Sequence, residues 1–132
     1  MRRISIGSWA YTIGPYADKP VDFETVCFRL KELGFDGVEL GAFTPHPSPD
    51  DHPDSDSRAA LREKLGSLGL GVSGLAANLW DEHLIDSPNH DSWLKEFTRN
   101  CQFALDLGIQ GGRVDTACLS YTTTAADEHN VE

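Results

Sequence analysis

The chain has little that would tie it to a membrane, a nucleic acid or an oxidising compartment. No apolar run approaches the roughly 20 residues needed to span a bilayer. The start, Arg2-Arg3 followed by Ile-Ser-Ile-Gly-Ser, is too short and too polar for a signal-peptide core. Positive charge is scarce: 11 lysines and arginines stand against 21 acids, for a net charge of −10. That balance opposes phosphate backbones and acidic lipid surfaces, so neither a nucleic acid nor a membrane is expected as a partner. The three cysteines, Cys27, Cys101 and Cys118, form no CxxC pair and are odd in number. They read as reduced thiols of a cytoplasmic protein. Also missing are GxSxG, HExxH, a phosphate-binding P-loop and, after the first apolar stretch, GxGxxG. Those absences argue against serine-hydrolase, zincin, P-loop and dinucleotide-binding chemistry.

What is present is a repeated syntax in a length that suits one domain. Leu33-Gly34-Phe35 leads into Gly37-Val38-Glu39-Leu40-Gly41. Leu68-Gly69-Leu70 leads into Gly71-Val72-Ser73-Gly74-Leu75, and Leu107-Gly108-Ile109 into Gly111-Gly112-Arg113-Val114. Each time a helical pattern ends in Leu, Gly follows, an apolar residue follows that, and a strand begins. Gly just past a helix can adopt the left-handed conformation that turns the chain, and the next apolar residue can pack back on the last turn. The spacings, 35 and 39 residues, suit one strand-plus-helix unit.

Read in order, Ile4 to Trp9 alternates and predicts a first strand, with Ser5, Gly7 and Trp9 on one side. Asp22 should cap a helix to Leu33, with Phe23, Val26, Cys27, Leu30 and Leu33 on one face. A second strand is expected over Gly37 to Leu40. Ala42 to Ser57 holds Pro45, Pro47, Pro49 and Pro53, which exclude regular structure. Ser55 or Ser57 should cap a second helix, with Ala60, Leu61, Leu65 and Leu68 as its stripe. A third strand should run from Gly71 to Ala76. Asp91 should cap a third helix to Leu107, with Trp93, Phe97, Cys101, Ala104 and Leu105 buried. A fourth strand is expected at about Gly112 to Asp115. The domain then covers residues 1–116, and the polar stretch 117–132 should be a poorly ordered tail.

The order β-α-β-α-β-α-β implies a parallel sheet with right-handed crossovers, four strands and three helices. Long loops follow the strands and short ones follow the helices, so function should lie at the carboxyl ends of the strands. Aligning the repeats on their Leu-Gly pairs puts Glu39, Gly74 and Arg113 at one offset. Gly41, Ala76 and Asp115 fall two residues later, and Asn78 extends the same face. Val38, Leu40, Leu75 and Val114 should face the helices. A charge between Val38 and Leu40 is costly to bury without a partner or a task. Two readings stay open: an internal ion pair of Glu39 with Arg113, or a substrate-binding role.

Other residues carry alternatives too. His46 and His52, with their flanking acids, have ligand types for a divalent metal, but a loop with no strand ligands reads first as a solvated acidic loop. His83 and His90 read as surface residues by the same logic. Trp9, Phe43 and Trp80 fall at or just past strand ends, where they can wall a sugar-sized pocket or simply pack the mouth.

Gly34-Phe35-Asp36-Gly37-Val38-Glu39-Leu40-Gly41 resembles the second-strand signature of the xylose isomerase-like TIM barrels, a superfamily of sugar (phosphate) isomerases and epimerases that includes AP endonuclease family 2. The opening Ile-Ser-Ile-Gly-Ser-Trp resembles their first strand, and Ala104 to Asp115 the end of their third helix and their fourth strand. The likeness covers about Ile4 to Asp115. It implies the N-terminal half of a (β/α)8 barrel, whose full form has eight strands and about 250 residues. It further implies proton transfer next to a carbonyl, with a divalent metal (Mn, Mg, Co or Zn) in the full barrel. The family's metal ligands come mainly from strands five to eight, so no metal ligand or catalytic base is carried over, and no metal is expected on this chain. The substrate-side half is what matches: Glu39, Asn78, Arg113 and Asp115, with His46 and Trp9 as further pocket candidates. The implied partner is a small carbohydrate or sugar phosphate.

Four strands alone leave two unpaired edges. The first expectation is therefore a fragment of an isomerase or epimerase, inactive by itself. The alternative is a non-catalytic binding or assembly module that closes a barrel as a homodimer or with a missing C-terminal half. Action on abasic DNA follows only from the family name and runs against the acidic balance.

Overall fold

The computed structural model describes residues 3–79 and 89–109 in full and residues 114–116 along the backbone. Four strands, β1 (Ser5–Gly7), β2 (Gly37–Gly41), β3 (Gly71–Ala77) and β4 (Val114–Thr116), alternate with three α-helices, α1 (Phe23–Glu32), α2 (Ser55–Ser67) and α3 (Asp91–Asp106). The strands pair in parallel in the order β1-β2-β3-β4. This is an α/β arrangement consistent with half of a (β/α)8 barrel. Among the described residues no helix is long and apolar enough to cross a membrane. The tail, residues 117–132, lies outside the described residues.

The glycine syntax has one structural cause. Gly34, Gly69 and Gly108 have φ of 77°, 74° and 77°. After each, the apolar residue's N–H reaches back to a carbonyl in the last helical turn: Phe35 to Leu30 at 2.9 Å, Leu70 to Leu65 at 3.0 Å, and Ile109 to Ala104 at 3.0 Å. Each glycine N–H also bonds back, to Lys31, Gly66 and Leu105. These are Schellman closures, which satisfy the last helical carbonyls and aim the chain into the next strand.

The helix starts were partly legible. The Asp22 carboxylate accepts the Thr25 N–H at 2.9 Å and the Thr25 hydroxyl at 2.6 Å. Those bonds hold its carboxyl below the usual carboxylate range. For α2 the expected serine cap is corrected: Asp54 accepts the Ser57 N–H at 2.8 Å, and Ser55 is already helical. Asp caps as well as Ser, and its charge also suits the helix N-terminus. For α3 the cap position is His90. Asp91 sits inside the first turn, its N–H donated to Asn89 Oδ1 at 2.8 Å.

The core forms between the sheet and the helices. Val38, Leu40 and Leu75 are fully buried there against Val26, Leu30, Leu61, Leu65 and Phe103. Three expected core residues are exposed, while Phe23, Leu68, Phe97 and Cys101 are half-buried. Leu33 is 71% exposed, because α1 has ended and Leu33 serves as its C-cap. Leu105 is 64% exposed; it lies roughly 120° round α3 from Trp93. Ala60 is exposed as well. The periodic reading missed Phe103, which fills the space instead. Arg58 was also unforeseen in the interior. It donates to the carbonyls of His52 at 2.9 Å and Pro53 at 3.2 Å and to Asp106 Oδ2 at 2.8 Å, with its guanidinium 5.6 Å from the Phe103 ring centroid. It pins the proline-rich loop to α3.

Candidate functional site

The register places Gly7, Glu39 and Gly74 side by side across β1, β2 and β3. Gly41, Ala76 and Asp115 form the next row toward the carboxyl ends. Glu39 thus has a glycine on each side. No neighbouring side chain on the sheet crowds its carboxylate. Its neighbours along the strand, Val38 and Leu40, point the other way, into the helix layer.

A residue just past β1 fills part of that room. The strand is shorter than the expected Ile4–Trp9. It stops at Gly7, and Ser8–Tyr11 forms a 3₁₀ turn. The fully buried Ser8 hydroxyl accepts the Gly41 N–H at 3.1 Å, in place of a backbone carbonyl from a longer strand. The turn lays the Trp9 indole over Gly7, where a Cβ would collide with Nε1. Trp9 Nε1 donates to Glu39 Oε2 at 3.1 Å. At Gly41 a Cβ would come within 2.7 Å of Trp9 Cβ and 3.0 Å of the Phe43 ring. Trp9 and Phe43 therefore lie together over the bare backbone of Gly41, at the carboxyl end of the sheet.

Of the expected site residues, Trp9 and Glu39 are brought together and both are half-buried. Asn78 is exposed, one residue past β3. Asp115 is in β4, paired with Ala76 along the backbone. Arg113, Trp80 and His83 lie outside the described residues, and so does the Glu39–Arg113 ion pair, one of the two readings of Glu39. Among the described residues, the Trp9 indole is the one hydrogen-bond donor to Glu39.

His46 corrects the expectation of a solvated loop. It is 1% exposed, so it is not part of a solvated loop. Its Nε2 pairs with the Val21 carbonyl at 2.9 Å and its ring packs 5.4 Å from Phe23. It lines a cavity of about 570 Å³ with Phe23, Pro47, Ser57 and Leu61, on the helix side of the sheet. There it locks the loop after β2 onto α1. Ser48, 3% exposed, is buried in the same loop.

The sequence reading missed Ser8, whose only signal was a small polar residue at a strand end. Among the described residues, no three His, Cys, Asp or Glu side chains converge in a way that could hold a metal. What the Trp9–Glu39 pair offers is an acceptor carboxylate beside an apolar ring face, which is the chemistry for binding a polyhydroxylated molecule. No family model and no curated protein matches the chain.

Proposed function

We propose that this chain supplies the substrate-binding half of a sugar or sugar-phosphate isomerase or epimerase of the xylose isomerase-like class, acting in the cytoplasm. The observation that carries the reading is the Glu39 carboxylate, set between two glycines in the middle of β2 and held by the Trp9 indole from just past the carboxyl end of β1. A sugar hydroxyl donates to the carboxylate oxygen that Trp9 leaves open, while the C–H face of the ring rests on Trp9 or Phe43. Asn78 and Asp115 are the further candidates for orienting hydroxyls, with Arg113 for a phosphate. The resemblance implies a divalent metal in the full barrel, with ligands mainly from strands five to eight. Calorimetric titration with ketoses, aldoses and their phosphates tests the reading. Saturable binding lost in Glu39→Ala supports it. Binding unchanged in Glu39→Ala, or none for any sugar, overturns it.

A second reading rests on the sheet order. Among the described residues β1 and β4 each pair on one side only, and an unpaired strand edge is a template for another chain. In that reading the chain is a non-catalytic module that closes a barrel with a second copy or another half. Light scattering at about twice 14.5 kDa favours the homodimer form.

A further inference from the structure

The arginines of the chain divide into two groups. Five lie among the described residues. Arg29 pairs with Glu32, Arg58 with Asp106, and Arg99 with Asp50 and Glu96. Arg3 and Arg62 have no carboxylate partner among the described residues, although acids outnumber bases 21 to 11. These two arginines line the same cavity, of about 500 Å³, at the amino ends of the strands.

The cavity's other walls are as selective as its charges. Among the described residues no carboxylate lines it. Gly66, Gly71 and Gly108 expose backbone, and the polar side chain that joins the arginines is Ser73. Ser73 is there because of a register shift. Val38 pairs with Val72 and Glu39 with Gly74, so Ser73 is the extra residue of a bulge in β3, a device that re-aims a side chain. Arg62 is placed by a glycine. A Cβ on Gly108 would stand 3.0 Å from Arg62 Cζ and 3.2 Å from Nε, so the guanidinium lies against the bare turn. Two cations sharing a cavity repel each other unless an anion joins them.

We propose that this cavity binds a phosphate group, free or as the monoester of a small molecule. Guanidinium forks match phosphate oxygens two at a time, and the Ser73 hydroxyl supplies a further donor. The volume is larger than a bare phosphate needs and suits a small ester. The cavity lies toward the amino ends of the strands, whereas Trp9 lies past the carboxyl end of β1, and the phosphate site stands or falls independently of the sugar reading.

The test is calorimetric titration of the whole chain with inorganic phosphate and with glycerol 2-phosphate, at constant ionic strength in chloride. Saturable binding is expected, weakened about tenfold or more in Arg62→Gln and in Arg3→Gln, as loss of a charge-assisted bond implies. Both sites are exposed, and circular dichroism checks that the variants fold. Lys19→Gln removes a charge at the other end of the sheet and should leave binding unchanged. Tighter binding of the ester assigns a monoester, and equal binding assigns the phosphate group alone. Absence of binding, equal weakening by Lys19→Gln, or succinate binding as tightly as either phosphate overturns the proposal.

Discussion

Trp9 and Glu39, 30 positions apart, meet across the β1–β2 pair with the indole N–H 3.1 Å from the carboxylate. The contact exists because Gly7 leaves room for the ring and because β1 ends early enough for Trp9 to turn inward. A hydrogen bond to a charged acceptor in a half-buried setting contributes about 1–2 kcal/mol. Trp9→Phe and Glu39→Gln should each destabilise the fold by about that much in urea. The double variant should cost less than the sum, with a coupling of roughly 1 kcal/mol. Strict additivity would show that the two side chains do not interact.

Gly41 should not tolerate a methyl group. Its Cβ would press within 2.7 Å of Trp9 Cβ and 3.0 Å of the Phe43 ring. Gly41→Ala is expected to cost about 1–3 kcal/mol through overpacking and to shift the Trp9 indole resonance. A neutral substitution with an unmoved resonance would place Trp9 elsewhere.

The helix-stop glycines make a cleaner prediction. At Gly34 and Gly69 nothing lies within 4 Å of a built Cβ, yet φ is 77° and 74°. Alanine at either position meets backbone strain without a clash, so each variant should lose about 1–2 kcal/mol. Asn, which tolerates the left-handed region, should lose less. Chemical denaturation of the four variants checks both the size and the order.

Arg58 and Asp106 give a pH signature. The Arg58 hydrogen bond, assisted by Gln102, holds the Asp106 carboxyl below the usual carboxylate range. A depressed folded pKa means that the stabilisation is complete above the unfolded value of about 3.9 and is lost as pH falls through the folded one. The stability gap between the protein and Asp106→Asn should therefore stay constant from about pH 5 to 8 and shrink below about pH 4. Arg58→Met should cost about 2–4 kcal/mol at neutral pH, since it strands the His52 and Pro53 carbonyls and the Asp106 charge. A gap that widens in acid would contradict the pairing.

The cysteine thiols offer a simple check on the core. Burial pushes the Cys27 thiol up to about 12 and raises Cys101 as well. Since the thiolate is the reactive form, Cys27 should resist alkylation at pH 8 until the chain is unfolded. Mass mapping after iodoacetamide treatment checks this, and rapid native labelling of Cys27 would contradict the packing of α1.

Much of the fold was legible because its signals are local. A glycine after a helical Leu marks a left-handed stop wherever it occurs, and the three stops fixed the register that pairs Glu39 with Gly74 and Ala76 with Asp115. Glu39 stood out as a charge inside an apolar strand. The features that stayed hidden depend on distant partners. Trp9 leaves the strand pattern because Ser8 bonds to Gly41, 33 residues away. Arg58 is buried because Asp106, 48 residues on, and two loop carbonyls receive it. His46 sits in an acidic, proline-rich stretch, yet the Val21 carbonyl draws it inside. No periodicity within a helix or strand carries such information.

The most direct measurement is the indole N–H resonance of Trp9 during titration with ketoses, aldoses and their phosphates. A sugar bound at Glu39 must alter the hydrogen bond that Trp9 donates to it. The account predicts a saturable shift of this resonance for at least one sugar, absent in Glu39→Gln. A Trp9 resonance that stays fixed for every sugar, or that shifts equally in Glu39→Gln, would contradict the assignment of this face to substrate.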